Sequence, residues 1–306
     1  MDIGSIILVI LGLCLFEVVS SIDNAVVNAD VLSTMSPKGR KWFLVWGIFI
    51  GVFLVRGLLP WLIIWGANPS LGPIQALFAT FSNNPVILES VEKSAPILLS
   101  GGSIFLIFLF LHWLFLEEKD FGFGLEKFFI KNGVWFFTCV SIILALTVWF
   151  ALKINPMMAF GATIGAAAFF ITDGFKEQAA KAELKLKKAK TMSDVGKLVY
   201  LEILDATFSI DGVIGAFAFT MSVPLIILGN GLGALVVRQL TIKGVDKIKK
   251  YIFLKNGAMY SILFLGVVML LDSFGHEVPA FVSPLVTFVM VTFFFLKSKK
   301  QIQNEV

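Results

Sequence analysis

Apolar residues run along this chain in blocks that are apolar on every side, with no polar face recurring at helical or strand period. Trp42 to Trp65 and Gly257 to Leu271 are two of them. A block of ~20 such residues matches the hydrocarbon thickness of a bilayer, whereas a helix on a soluble core keeps a polar stripe. Nine blocks, near 3–31, 42–66, 97–116, 134–152, 157–173, 198–220, 223–242, 252–272 and 279–296, predict an all-α membrane protein with nine transmembrane helices. Residues 68–96 break the pattern, mixing Pro, Asn and two glutamates with apolar positions, and read as an interfacial or re-entrant helix.

The segments between blocks alternate in basic residues. One set holds Lys38, Arg40 and Lys41; Lys119, Lys127 and Lys131; seven lysines from Lys176 to Lys197; Lys243, Lys247, Lys249 and Lys250; and Lys297, Lys299 and Lys300. The opposite set holds only Lys93 and Lys153. The positive-inside rule then puts the N-terminus outside and the C-terminus in the cytoplasm, in a plasma (inner) membrane. The basic stretch 174–197 reads as a solvated surface helix or linker on the cytoplasmic side.

Composition agrees, at 58% hydrophobic with a mean hydropathy of +0.89. The net charge of +4 lies in the connecting segments, which argues for lipid contact and against nucleic acid. Cys14 and Cys139 fall inside apolar blocks and read as small hydrophobes. Glu17, Asp23 and Asn24 within the first block argue against a removable signal peptide. His112 and His276 lack metal-ligand spacing. Asp30, Asp173 and Asp272 sit at block ends, where solvation accounts for them.

The polar positions inside the blocks repeat. Glu17 is followed by Ser21-Ile22-Asp23-Asn24, and Asp205 by Ser209-Ile210-Asp211-Gly212, at an offset of 188. The next block repeats too: Gly47, Gly51, Val55 and Arg56 match Gly229, Gly233, Val237 and Arg238 at an offset of 182. Five spans separate the start of one copy from the start of the next, so the copies enter the membrane from opposite sides. That is the inverted-repeat arrangement of many secondary transporters, whose sites lie near the midplane. One transmembrane domain is therefore expected over 1–306: repeat 1 near 1–152, a linking helix and basic cytoplasmic loop at 153–197, repeat 2 near 198–296, and a tail at 297–306. The glycine pairs themselves are small-xxx-small patterns that speak for close helix packing.

A carboxylate at the bilayer centre costs ~2.5–3.5 kcal/mol or more, so such residues usually face a cavity or a partner. At 100° per residue Glu17, Ser21, Asn24 and Asn28 share a helix face, while Asp23 lies about 120° from Glu17. The same relation holds for Asp205, Ser209 and Asp211. All the acids converge if each helix unwinds at its Ser-Ile-Asp, with Gly212 easing the second break. The donors are all oxygens, and suit hard cations such as Mn²⁺, Ca²⁺ or Mg²⁺ as substrate, with no bound cofactor. Arg56 and Arg238, or protons in exchange, would neutralise the empty site. Glu202 has no counterpart in the first copy and reads as a further partner or gate.

At these residues the chain resembles the TerC-like integral membrane proteins, named for tellurium resistance and similar to the lysine-exporter superfamily. The resemblance rests on Glu17 through Asn24, Asp205 through Asp211 and the two Gly…Arg helices. It implies export of a divalent metal, with Mn²⁺ foremost, and Glu17, Asp23, Asn24, Asp205 and Asp211 as metal-site residues. Ser21, Asn28, Glu202 and Ser209 would line the site further, with Arg56 and Arg238 as supporting charges. Gly212 and Ile214 stand where that family has Ser and Pro, marking a divergent branch. The competing expectations are a carrier of an anion, amino acid or lipid phosphate, and a scaffold whose acids and arginines form structural ion pairs. An intramembrane aspartyl protease is disfavoured because its Gly-x-Gly-Asp pattern is absent, so no enzyme is expected. A homodimer is left open.

Overall fold

In a computed structural model of the chain every element among the described residues is helical. The structure describes residues 2–47, 50, 56–81, 84–117, 124–188, 193–243 and 250–304. For residues 23, 24, 27, 30, 44, 80, 88, 124, 125, 179–188, 204, 208, 242, 243 and 304 it describes the backbone alone. The side chains of Asp23, Asn24 and Asp30, and residue Gly51, therefore lie outside the described residues, as do several of the loop lysines.

Among the described residues seven helices are long and apolar enough to cross a membrane. They are α1 (Ile3–Ser20), α6 (Pro85–Leu116), α8 (Trp135–Leu152), α9 (Pro156–Lys188), α11 (Val223–Lys243), α12 (Leu254–Ser273) and α13 (Val282–Asn304). The chain is thus a multi-pass helical membrane protein. The other two expected spans, 42–66 and 198–220, are not among these seven, and the first is described only in part. Of the block at 42–66 the described parts are the end of α3 (Pro37–Trp42), a π-helical turn at Phe43–Gly47 and α4 (Arg56–Ala67), with residues 48, 49 and 51–55 outside the described residues. The block at 198–220 is α10 (Asp194–Ala216), whose 23 residues are long enough, but which carries Glu202, Asp205 and Asp211.

Other boundaries move for physical reasons. The first block is two helices, α1 and α2 (Ile22–Ser33), with Ser21 between them at φ −94, ψ 7. The break is slight, because Ser21 N still donates to the Glu17 carbonyl at 3.1 Å and Ala25 N to the Ser21 carbonyl at 2.9 Å. In 68–96 only α5 (Pro73–Leu77) and a 3₁₀ turn at Ala79–Phe81 stand as separate pieces. From Pro85 onward that region is the start of α6, capped by Asn84 Oδ1 accepting from Val86 N at 3.0 Å. At 1.5 Å per residue the 32 residues of α6 span about 48 Å, longer than a bilayer core. The basic stretch after Gly174 is no linker at its start, for α9 runs unbroken to Lys188.

Glycine decides how the spans meet. On α9, a Cβ at Gly161 would lie 2.9 Å from Ser100 Oγ, and one at Gly165 would lie 2.9 Å from Gly101 Cα on α6. The two backbones thus touch, as small residues allow where no hydrophobic force drives helices together in lipid. Phe105 and Phe108 of α6 meet Phe169 of α9 edge-on beside that contact, at 6.1 and 5.8 Å. On α11, a Cβ at Gly229 would meet Leu13, and one at Gly233 would lie 2.6 Å from Glu17 Cβ. The second glycine pair of the repeat is therefore a close-packing surface for α1. The first pair cannot be compared in full, since Gly51 is outside the described residues. By contrast α8 turns Phe137, Leu146 and Trp149 outward, as a lipid-facing helix does.

Candidate functional site

Five charged side chains from four helices meet where α1, α4, α10 and α11 converge. Arg56, on α4, is 2% exposed. Its Nη2 lies 2.7 Å from Glu17 Oε1 on α1, and its Nη1 lies 3.1 Å from Asp205 Oδ2 on α10. Arg56 Nε also donates to Glu17 Oε1, at 2.8 Å, and Ser21 Oγ donates to the same oxygen at 2.9 Å. Arg238, on α11, reaches Asp205 Oδ2 and Glu202 Oε2, each at 3.5 Å. It donates as well to the carbonyls of Phe43 (2.9 Å) and Gly47 (2.6 Å), and its guanidinium lies over the Phe43 ring at 4.4 Å. The π-helical turn thus presents two carbonyls and an aromatic face to one arginine, and such turns gather at functional sites.

Among the described residues three carboxylates face two guanidiniums here, one negative charge more than positive. Glu17 is fully buried and Glu202 and Asp205 nearly so. Glu17 Oε2 and both Glu202 oxygens have no hydrogen-bond partner among the described residues. Gly47 and Gly212 make room for them. A Cβ at Gly212 would lie 2.7 Å from Glu17 Oε2, and one at Gly47 would fall on Glu202 Oε1. The glycine that departs from the TerC-like pattern is the one against which the Glu17 carboxylate packs.

The expected residues divide into three groups. Glu17, Ser21, Glu202, Asp205, Arg56 and Arg238 are brought together, and the acids meet through the arginines. Ser209 is buried beside them, but its hydroxyl turns back to the Asp205 carbonyl. Asn28 is buried on α2, its Oδ1 without a hydrogen-bond partner among the described residues. Asp211 goes elsewhere. Helix α10 runs through Ser209-Ile210-Asp211-Gly212 without the expected break, so Asp211 stays about 120° around it from Asp205. It pairs instead with Lys176 of α9. The convergence of all four acids therefore does not form: Asp211 is turned away, and Asp23 and Asn24 have no described side chains. Among the described residues no three His, Cys, Asp or Glu side chains are grouped to hold one metal ion.

Two features escaped the sequence. Lys176, counted with the solvated lysines, is largely buried, although its place three residues after Asp173 at the end of an apolar block could have signalled it. Glu126, in a segment read as a loop, lies fully buried on α7 (Gly124–Lys131). It accepts from Asn256 Nδ2 at 3.0 and 3.1 Å and from the Tyr260 hydroxyl at 2.9 Å. His112 and Asp173 are also partners, not solitary groups, with Nε2 and Oδ1 at 3.3 Å.

Fold and site together define a multi-pass helical membrane protein with a charged cluster buried between its helices. The chain belongs to the family described as proteins of unknown function, DUF475, which it matches over residues 22–305. No curated protein and no solved structure matches it. Glu17 and Ser21 precede the matched segment, while Arg56, Glu202, Asp205 and Arg238 lie within it.

Proposed function

We propose that this protein carries a divalent metal cation, Mn²⁺ foremost, across the plasma (inner) membrane through the cluster at Glu17, Glu202 and Asp205. The observation that carries this reading is that, among the described residues, carboxylates outnumber guanidiniums there and three carboxylate oxygens lack hydrogen-bond partners. Buried charge between membrane helices is costly and marks ion pathways more often than packing. Oxygen donors favour hard cations over thiolate-seeking metals. The resemblance to TerC-like exporters, on Glu17 through Asn24 and Asp205 through Asp211, selects Mn²⁺ and the outward direction.

The guanidiniums act here as resident counter-charges. Arg56 bridges Glu17 and Asp205, so a cation reaches those oxygens only as Arg56 withdraws or the helices part. An inverted repeat supplies the matching device, with Arg56 and Arg238 as symmetry mates in nine spans and the N-terminus outside. Protons taken up by the emptied carboxylates would couple transport to the proton gradient.

Mn²⁺, Ca²⁺ and Mg²⁺ flux in vesicles holding the purified protein tests the proposal. Glu17→Gln and Asp205→Asn should each lower Mn²⁺ flux at least tenfold relative to the unaltered protein. Unchanged flux in both variants would defeat the mechanism. A second reading draws on Arg56 alone, which ties α1, α4 and α10 together: the pairs hold a scaffold. It predicts no flux in the unaltered protein and lost stability in the same variants.

A further inference from the structure

Asp211 occupies a second charged position, about 120° around α10 from Asp205. Its carboxylate pairs with the Lys176 ammonium, and the two side chains are 13% and 18% exposed. Its Oδ1 is buried with no hydrogen-bond partner among the described residues. Asp173, nearly one turn before Lys176 on α9, holds His112 of α6, with Oδ1 and Nε2 3.3 Å apart. Asp173 and Lys176 are i,i+3 neighbours on α9, so two carboxylates, Asp173 and Asp211, lie near one ammonium. A divalent cation in its place would balance both.

The two positions are built differently. Arg56 contacts its acids with a planar fork that fixes three helices. Lys176 is a single point charge on a flexible four-carbon stem that can swing clear without moving the backbone. Next along α10, Gly212 lets Glu17 Oε2 approach, so the Asp211 position adjoins the unpartnered side of the arginine cluster.

We infer that Lys176 is a tethered counter-cation, seated on Asp211 when no substrate is present and displaced when a divalent cation binds there. Asp211 and Asp173 then form an entry or exit position one helix face away from the central acids. This deepens the transport reading above and rests on it.

The test is Mn²⁺ binding to the full-length protein in nanodiscs, followed by loss of the free-ion paramagnetic signal, with flux in vesicles measured in parallel. Lys176→Met should tighten Mn²⁺ binding about tenfold, since the ion no longer displaces a charge-assisted contact. Lys176→Gln should do the same, and Lys176→Arg should give no such gain. The gain should vanish in Lys176→Met/Asp211→Asn. Flux in the unaltered protein with no gain in either neutral variant would overturn this inference and leave the transport reading standing. Neither binding nor flux in the unaltered protein would remove both. Neutral variants that fold only when Asp211→Asn is added, without tighter binding, would mark the pair as structural and overturn the inference.

Discussion

Arg56 is the residue whose removal should matter most to stability. It is fully enclosed and carries the charge that balances Glu17 and Asp205. Breaking a buried pair by deleting one partner typically costs about 3–5 kcal/mol, because the remaining charge stays uncompensated. Arg56→Met should therefore lower the thermal unfolding midpoint strongly, and Arg56→Met/Glu17→Gln/Asp205→Asn should recover much of the loss. Gly212 makes a subtler case. The Cβ of Gly212→Ala would sit 2.7 Å from Glu17 Oε2, at the free end of a side chain that can move. The fold should survive, with Mn²⁺ flux reduced as Glu17 is pushed off Arg56 and Ser21.

Between elements, glycine contacts separate sensitive from tolerant positions. Gly165 sits where α9 crosses the α6 backbone, and Gly165→Val should force the helices apart at a cost of about 1–3 kcal/mol, read as a lower unfolding midpoint. Gly174 lies on the same helix with nothing within 4 Å of its added Cβ. Gly174→Ala should stabilise the protein by about 0.5–1 kcal/mol, the ordinary difference inside a helix. That two glycines nine residues apart should respond oppositely follows from the crossing alone. Helix α10 teaches the same lesson about polarity. Glu202, Asp205, Ser209 and Gly212 follow one stripe toward the arginines, and Asp211 faces α9. An unbroken helix keeps these faces apart, so the sequence expectation of a break at Gly212 placed Asp211 in the wrong company.

At the scale of the molecule, seven apolar helices among the described residues make a multi-pass protein, and the proposed topology adds the charged α10 and the segment that carries Arg56. Cysteines placed at Lys153 and Lys300 distinguish the arrangements in intact cells. With the N-terminus outside, a cysteine at 153 should react with an impermeant maleimide and one at 300 only after permeabilisation. The reverse pattern would invert the membrane orientation and the direction assigned to transport.

Much of this was legible in the chain by itself. Apolar blocks of bilayer length determined a helical membrane protein, since a helix satisfies its backbone groups within one segment and barrel strands are shorter and alternate in polarity. The recurrence of Ser-Ile-Asp and of Val-Arg singled out Glu17, Asp205, Arg56 and Arg238, because intramembrane charge is too costly to be incidental. Which acid meets which cation was decided only by tertiary structure. Helical phase and the glycines at 212 and 233 seat Glu17 where Arg56 joins it to Asp205, and Gly47 gives room to Glu202 and Arg238. The extension of α9 past its apolar block carries Lys176 to Asp211. Such pairings depend on which helix faces touch, and face contact is a property of packing between distant segments, which no local pattern encodes.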